Sequence, residues 1–188
     1  MGLIYDKDQF TLESSRSARL HTPQFPNLRT RDQLVVSGIL AGERVHFIVN
    51  HWPSRLGGEK QSSPKREAAA ALTKHLADSL LAADPDSKVV IMGDLNDDPS
   101  NRSCKTILGA QKKQQDVQAG GYFNTMWGMF DKGIGTLAYN GSWNLFDQII
   151  ISGNLLGKDR STLKYIRSEV FNRDFLKQKE GKYKGYPL

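Results

Sequence analysis

Two oxygen-bearing side chains, Asp94 and Asn96, stand two residues apart in Gly93-Asp94-Leu95-Asn96-Asp97-Asp98, directly after the apolar run Lys88-Val89-Val90-Ile91-Met92. On an extended backbone that spacing turns both side chains the same way. The pair suits a hard metal and a phosphate, because the carboxylate can hold Mg²⁺ while the amide bonds a phosphate oxygen or a water. The same residues also spell an ordinary strand-to-loop turn, where Asp, Asn and Gly are favoured. Two further strand ends are polar. Asn50-His51-Trp52-Pro53-Ser54 follows the run Val45–Val49, which places an imidazole just past a strand; an edge histidine bonded to a loop is the plainer alternative. Asp147 lies between Phe146 and Ile149-Ile150-Ile151. A carboxylate there is unfavourable in a strand and costly if buried unpaired, so it either faces solvent or has a partner. Arg31, in Thr30-Arg31-Asp32, is a phosphate clamp or a surface arginine. Asn50, Ser54 and Trp143, beside these strand ends, join Arg31 as candidate substrate-binding residues.

The elements that must hold these residues follow from the surrounding pattern. Leu34–Leu40 and Arg44–Asn50 are strand-like, and the short Ala41-Gly42-Glu43 link makes them a hairpin. A polar loop, Ser54 to Ser63, leads to a helix expected to start at Pro64 with Ser63 as its N-cap. Its stripe of Ala69, Leu72, Leu76 and Leu80 has helical spacing, and Asp84-Pro85-Asp86 ends it. The strand Lys88–Met92 follows, then a weaker helical stretch at Asn101–Leu108 and a polar loop at Gln111–Gly121. Gly133–Tyr139, a turn at Asn140-Gly141 and the run Trp143–Ile151 predict a second hairpin. Met1–Tyr5 reads as a strand already in progress. The order is α/β with both antiparallel and parallel pairing.

Composition narrows the class. The chain has 188 residues, 38% hydrophobic and 24% charged, enough for a real core in one domain's worth of sequence. Its apolar runs are far too short to span a bilayer, and no charged-then-apolar leader opens it. The Met-Gly start has Asp6 where N-myristoylation wants Ser or Thr. A single cysteine, Cys104, excludes an intrachain disulfide and a Cys-based zinc site, and fits a reducing compartment without assigning one. The net charge of +6 is concentrated at the end: residues 158–188 carry nine Lys/Arg against four acids. Such a segment either binds a phosphate backbone or is a solvated face or loose end.

Taken in order, Asn-His-Trp-Pro-Ser, Gly-Asp-Leu-Asn-Asp and Phe-Asp-Gln-Ile-Ile-Ile-Ser resemble the endonuclease/exonuclease/phosphatase superfamily, which includes nucleases, sphingomyelinases and inositol-polyphosphate phosphatases. The Arg31-Asp32 before the first hairpin and the long helix after Ser54-Arg55-Leu56-Gly57-Gly58 also match. The resemblance covers most of residues 1–155. It implies a four-layered α/β sandwich of two mixed sheets, of the deoxyribonuclease-I type, with the site at converging strand ends. It further implies hydrolysis of a phosphodiester or phosphomonoester with Mg²⁺ or Mn²⁺. Asp94 would bind metal and orient or deprotonate the attacking water. Asn96 would hold that water or a phosphate oxygen and help at the metal, His51 would bond the scissile phosphate, and Arg31 would grip a neighbouring one. Asp147 matches a carboxylate that pairs with a histidine late in the family.

The sequence also departs from the family pattern. It has no Gln-Glu-Val-like element for the principal metal-ligating Glu, and no Ser-Asp-His; its last histidine is His75. Residues 1–188 are therefore expected to be a partial domain, lacking a first third and a final strand, with impaired turnover and with sheet edges open to association. The expected partners are a phosphate ester substrate and, given the basic end, nucleic acid. A non-catalytic binding or interaction module on the same scaffold is the competing expectation.

Overall fold

The computed structural model describes residues 1–139 and 141–186. Nine strands and one long helix make up its frame: β1 (Phe10–Ala18), β2 (Gln33–Leu40), β3 (Glu43–His51), α1 (Glu59–Ala83), β4 (Lys88–Asp94), β5 (Ala110–Gln111), β6 (Tyr122–Asn124), β7 (Leu137–Tyr139), β8 (Ser142–Asn144) and β9 (Asp147–Ser152). Seven strands form one mixed sheet in the order β1-β2-β3-β4-β9-β6-β5, and β7-β8 form a second, two-stranded sheet. β3 runs parallel to β4, and β5 to β6; the other neighbours are antiparallel. The α/β class with two sheets matches the expectation.

Alternation along the strands sorts the sheet into two faces. On one face Val35, Ile48, Val89, Ile91 and Ile150 pack against Ala69, Ala70, Leu76 and Ala77 of α1, forming the main core. α1 lies over β3 and β4 because the β3–β4 pair is parallel and needs a crossover on one side of the sheet. The other face carries Val45, Val49, Val90, Met92, Ile149 and Ile151, covered in part by Phe10 and Tyr5 at one side and by Tyr165 against Phe123 at the other. Among the described residues no helix is long and apolar enough to cross a membrane.

Several expected boundaries moved. α1 begins at Glu59, so Ser63 is not its N-cap and Pro64 sits inside it. The start is set by Gly58, whose φ of 101° no L side chain adopts easily; its carbonyl accepts from Ser62 N–H and Ser62 Oγ. Proline is tolerated this near the N-terminus, where few backbone bonds exist to lose. Met1–Tyr5 is not a strand. The first strand is β1, which the pattern did not reveal because Thr11–Ser17 are exposed and mostly polar. The predicted hairpin partner Trp143–Ile151 is divided: β8 pairs with β7, while β9 leaves to join the main sheet beside β4. Asn140, assigned to the intervening turn, lies outside the described residues. The weaker helix shrinks to a wide turn, Ser103–Ile107, in which Leu108 N–H bonds Ser103 O. Edge association gains no support from β1, which is polar and bulged between Leu12 and Ser14; such features discourage edge pairing.

Candidate active site

Strand register brings three of the sequence candidates into one row. His51 is in register with Asp94 across the parallel β3–β4 pair, and Asp94 with Asp147 across the antiparallel β4–β9 pair. Directly opposed residues share a face and lie about 5 Å apart. The row therefore stands on the face turned away from α1, at the C-terminal ends of β3 and β4 and the start of β9. His51 Nε2 is 3.5 Å from Asp94 Oδ2, with both side chains about one-third exposed. Asp147 is exposed, and its N–H donates to Thr136 Oγ1 at 3.2 Å.

Gly93 makes this spacing attainable. It adopts φ 127°, and a Cβ there would stand 2.0 Å from Asn50 O on the neighbouring strand. The glycine of Gly-Asp-Leu-Asn is thus fixed by backbone approach. β4 ends at Asp94, so Asn96 does not reach the site by strand alternation as the spacing predicted. It takes φ 52°, a left-handed conformation that Asn tolerates better than most residues. Asn96 N–H donates to Asp94 Oδ1 at 2.9 Å, and Asn96 Nδ2 donates to Trp52 O at 3.0 Å. A local turn, rather than an extended chain, sets the pair side by side.

The other candidates fall elsewhere. Asn50 points to the α1 face and is buried there; its Oδ1 accepts from Trp52 Nε1 and Thr73 Oγ1, and its Nδ2 donates to Ile48 O. The alternation that presents His51 to solvent turns Asn50 inward. Ser54 and Arg31 are exposed; Arg31 lies two residues before β2, at the same end of the sheet as His51. Trp143 is on β8, edge-on to Tyr186 with ring centroids 5.6 Å apart.

Beneath the row lies an ionic cluster that sequence reasoning did not single out. Arg66, fully buried on α1, places Nε 2.7 Å from Asp97 Oδ1, and its Nη1 donates to Ser62 Oγ. Arg55 Nε donates to Asn96 O at 2.9 Å, its Nη2 reaches Asp97 Oδ1 and Asn101 Oδ1, and its guanidinium lies 4.5 Å from the Phe146 ring centroid. Asp97 also accepts from Ser103 Oγ, and its carbonyl from Gln148 Nε2. Asp98 Oδ1 accepts from Leu145 N–H at 2.7 Å. Burial raises the Asp98 carboxyl above the ordinary carboxylate range, while Leu145 N–H and Arg55 pull it back. The loop after Asp94 is thereby tied both to α1 and to the residues just before Asp147. The one available signal was the acid pair Asp97-Asp98 following a motif and two arginines at the head of a helix. Burial pushes the Cys104 thiol up to about 12, so it stays protonated at neutral pH and is no nucleophile.

The exposed donors of the row are oxygens of Asp94, Asn96 and Asp147, a chemistry that suits a hard cation. Among the described residues no group of three or more His, Cys, Asp and Glu side chains could hold a metal. Mg²⁺ needs no such cage, since it commonly binds through one or two carboxylates together with water and substrate phosphate.

Acid, amide and imidazole are thus gathered at neighbouring strand ends of a mixed α/β sheet, and similarity to known proteins specifies the family. The chain belongs to the Endonuclease/Exonuclease/phosphatase family, whose model matches residues 1–188. Solved structures similar in fold include truncated Caenorhabditis elegans TDP2, 18% identical over 78% of this chain and 55% of that one, with a TM-score of 0.55. The human Nocturnin catalytic domain is 16% identical over 78% and 49%, with a TM-score of 0.51. The Bacteroides thetaiotaomicron mannosyl-6-phosphatase Bt3783 is 17% identical over 79% and 55%, with a TM-score of 0.50. The chain thus spans about half the length of these structures. No curated protein matches it in sequence.

Proposed function

We propose that this chain carries part of the active site of a metal-dependent phosphoesterase that hydrolyses phosphodiester or phosphomonoester bonds. The observation that carries the proposal is the row His51–Asp94–Asp147 on three adjacent strands, with Asn96 turned in beside Asp94. Asp94, with Asn96 beside it, would hold Mg²⁺ or Mn²⁺, which when bound supplies charge neutralisation on the phosphate. Asp94 orients the attacking water and accepts its proton as the new P–O bond forms. Asn96 retains one N–H of its amide for that water or a phosphate oxygen, the other being held by Trp52 O. His51 donates to a non-bridging oxygen as charge develops there. The ester P–O bond breaks on the far side, its electron pair staying with the departing oxygen, which takes a proton from solvent water and leaves as the alcohol. Asp147 adds negative charge beside Asp94 that favours a cation over an unaccompanied anion at the row. Arg31 is the candidate grip for a neighbouring phosphate. With Asp94 and Asp147 as the two carboxylates of the row, turnover by these 188 residues alone is expected to be weak.

The test is hydrolysis of bis(nitrophenyl) phosphate and nitrophenyl phosphate with and without Mg²⁺ or Mn²⁺, alongside Mn²⁺ binding. Asp94→Ala should lower rate and Mn²⁺ affinity together, the rate by about a hundredfold or more. His51→Ala should lower the rate and leave Mn²⁺ affinity nearly unchanged. Rates and affinities indifferent to both substitutions would leave a non-catalytic binding module instead.

A further inference from the structure

Next to the row, beyond Asp147, lies a cavity of 510 Å³ with apolar and aromatic walls that include Ile134, Thr136, Trp143, Phe171 and Leu176. Its size is that of an ordinary small-ligand site. Thr136 joins it to the row: Thr136 Oγ1 accepts from Asp147 N–H, and Thr136 N–H donates to Asn144 O at 2.9 Å. One wall comes from the β7–β8 region and the other from the basic end of the chain, folded back so that Tyr186 meets Trp143 edge-on. Backbone bonds between Gln178 and Gly185–Tyr186 close this end into a loop.

Around the cavity, aromatic rings alternate with cations. The Arg173 guanidinium lies 5.1 Å from the Phe171 ring centroid, and the Lys182 ammonium 5.6 Å from that of Tyr183. Phe171, Phe175 and Tyr183 are all exposed, in the segment that holds most of the protein's net positive charge. Flat apolar walls suit a π-face, and the interleaved cations suit a phosphate chain; together they are the surface single-stranded nucleic acid prefers. A membrane contact would more naturally use an amphipathic helix, and between residues 158 and 186 the longest helical piece is the three-residue turn Asp174–Leu176.

We propose that the cavity and the basic segment around it form a base-stacking subsite for a single-stranded polynucleotide, holding the nucleotide that flanks a phosphodiester at His51 and Asp94. The location of the scissile bond rests on the phosphoesterase proposal; the binding surface does not. Trp143 and Phe171 stack the base, and Lys182, Lys184 and Arg173 follow the backbone.

The experiment titrates the full 188-residue chain with a short oligothymidylate, read by tryptophan fluorescence and by anisotropy of a labelled strand. Trp143 is 41% exposed, whereas Trp52 and Trp127 are 1% and 7% exposed, so quenching reports on the cavity. Trp143→Ala is expected to weaken binding about tenfold or more, the loss of one stack. Phe171→Ala, at an exposed position, should weaken it in the same direction without a folding defect. Replacing Lys182 and Lys184 with Gln should flatten the salt dependence by about 0.7 for each phosphate that is no longer neutralised. Affinity unchanged by Trp143→Ala and Phe171→Ala would overturn the subsite. So would quenching by phosphatidylserine vesicles with none by the oligonucleotide, which would make the surface a membrane contact. A chain that binds the strand but hydrolyses nothing loses only the phosphoesterase proposal, and one that hydrolyses bis(nitrophenyl) phosphate but does not bind the strand loses only the subsite.

Discussion

On the face of the sheet turned toward α1, Ile48, Val89, Ile91 and Ile150 are fully closed off, while on the opposite face Ile149 remains 41% exposed and Val90 and Met92 are half-buried. Both faces are drawn from the same strands, residue by alternate residue. The closed face sets geometry: its side chains, together with the Arg66–Asp97 pair, hold β3, β4 and the loop after Asp94 against α1. The open face carries His51, Asp94 and Asp147, where a substrate can reach them. One face gains stability from excluding water, and the other gives up part of that gain for access.

Four substitutions can break or sharpen this contrast. The largest effect is expected from Asp97→Ala, which leaves the buried Arg66 guanidinium without its counter-ion. Breaking such a pair costs roughly 3–5 kcal/mol, measured as a lowered urea midpoint. A loss below about 1 kcal/mol would mean that the cluster is not what anchors the loop. The contrast between faces is then tested within one strand. Ile150→Ala should cost about 3 kcal/mol, whereas its neighbour Ile149→Ala should cost under about 1 kcal/mol. Equal costs would show that the open face is packed in solution as tightly as the other.

The smallest effect concerns His46, buried on the α1 face with Nδ1 2.7 Å from Ser37 Oγ. Burial holds its pKa below the usual 6.5, and Arg44 nearby acts in the same direction, against the weaker pull of Asp84 and Glu13. A group depressed in the folded state contributes stability that is fully present above its unfolded value and lost as pH falls through the folded one. Unfolding midpoints should therefore drop from pH 7.5 toward pH 5, and His46→Gln should reduce that slope. An identical slope in the variant would assign the pH dependence to other groups.

Much of the frame was legible in the sequence because its signals are local. Val and Ile runs bounded by turn residues gave β2, β3, β4 and most of β9, and the stripe Ala69–Leu80 gave the body of α1. β1 was not legible, because an edge strand with polar, exposed residues has no apolar alternation to detect. The helix start was misplaced because Ser63-Pro64 satisfies the rules for a first turn as well as Gly58-Glu59 does. Arg55 and Arg66 escaped notice because their partners lie about forty or thirty residues further along the chain.

By itself, the sequence determined which polar residues stand at strand ends: His51, Asp94 and Asp147 each border an apolar run, and period-two alternation then fixes which residues of the same strand share their face. Gly93 was determined at the same level, as a glycine before a carboxylate at a strand end. Only the tertiary structure decided that β9 inserts beside β4, and so that Asp147 faces Asp94 and not a hairpin partner. It also decided that Asn50 faces the core while His51 faces out, and that Asn96 comes to Asp94 by a left-handed turn. The physical reason is that alternation sets relative orientation within a strand, whereas strand order and the burial of one face are decided by packing across the whole sheet.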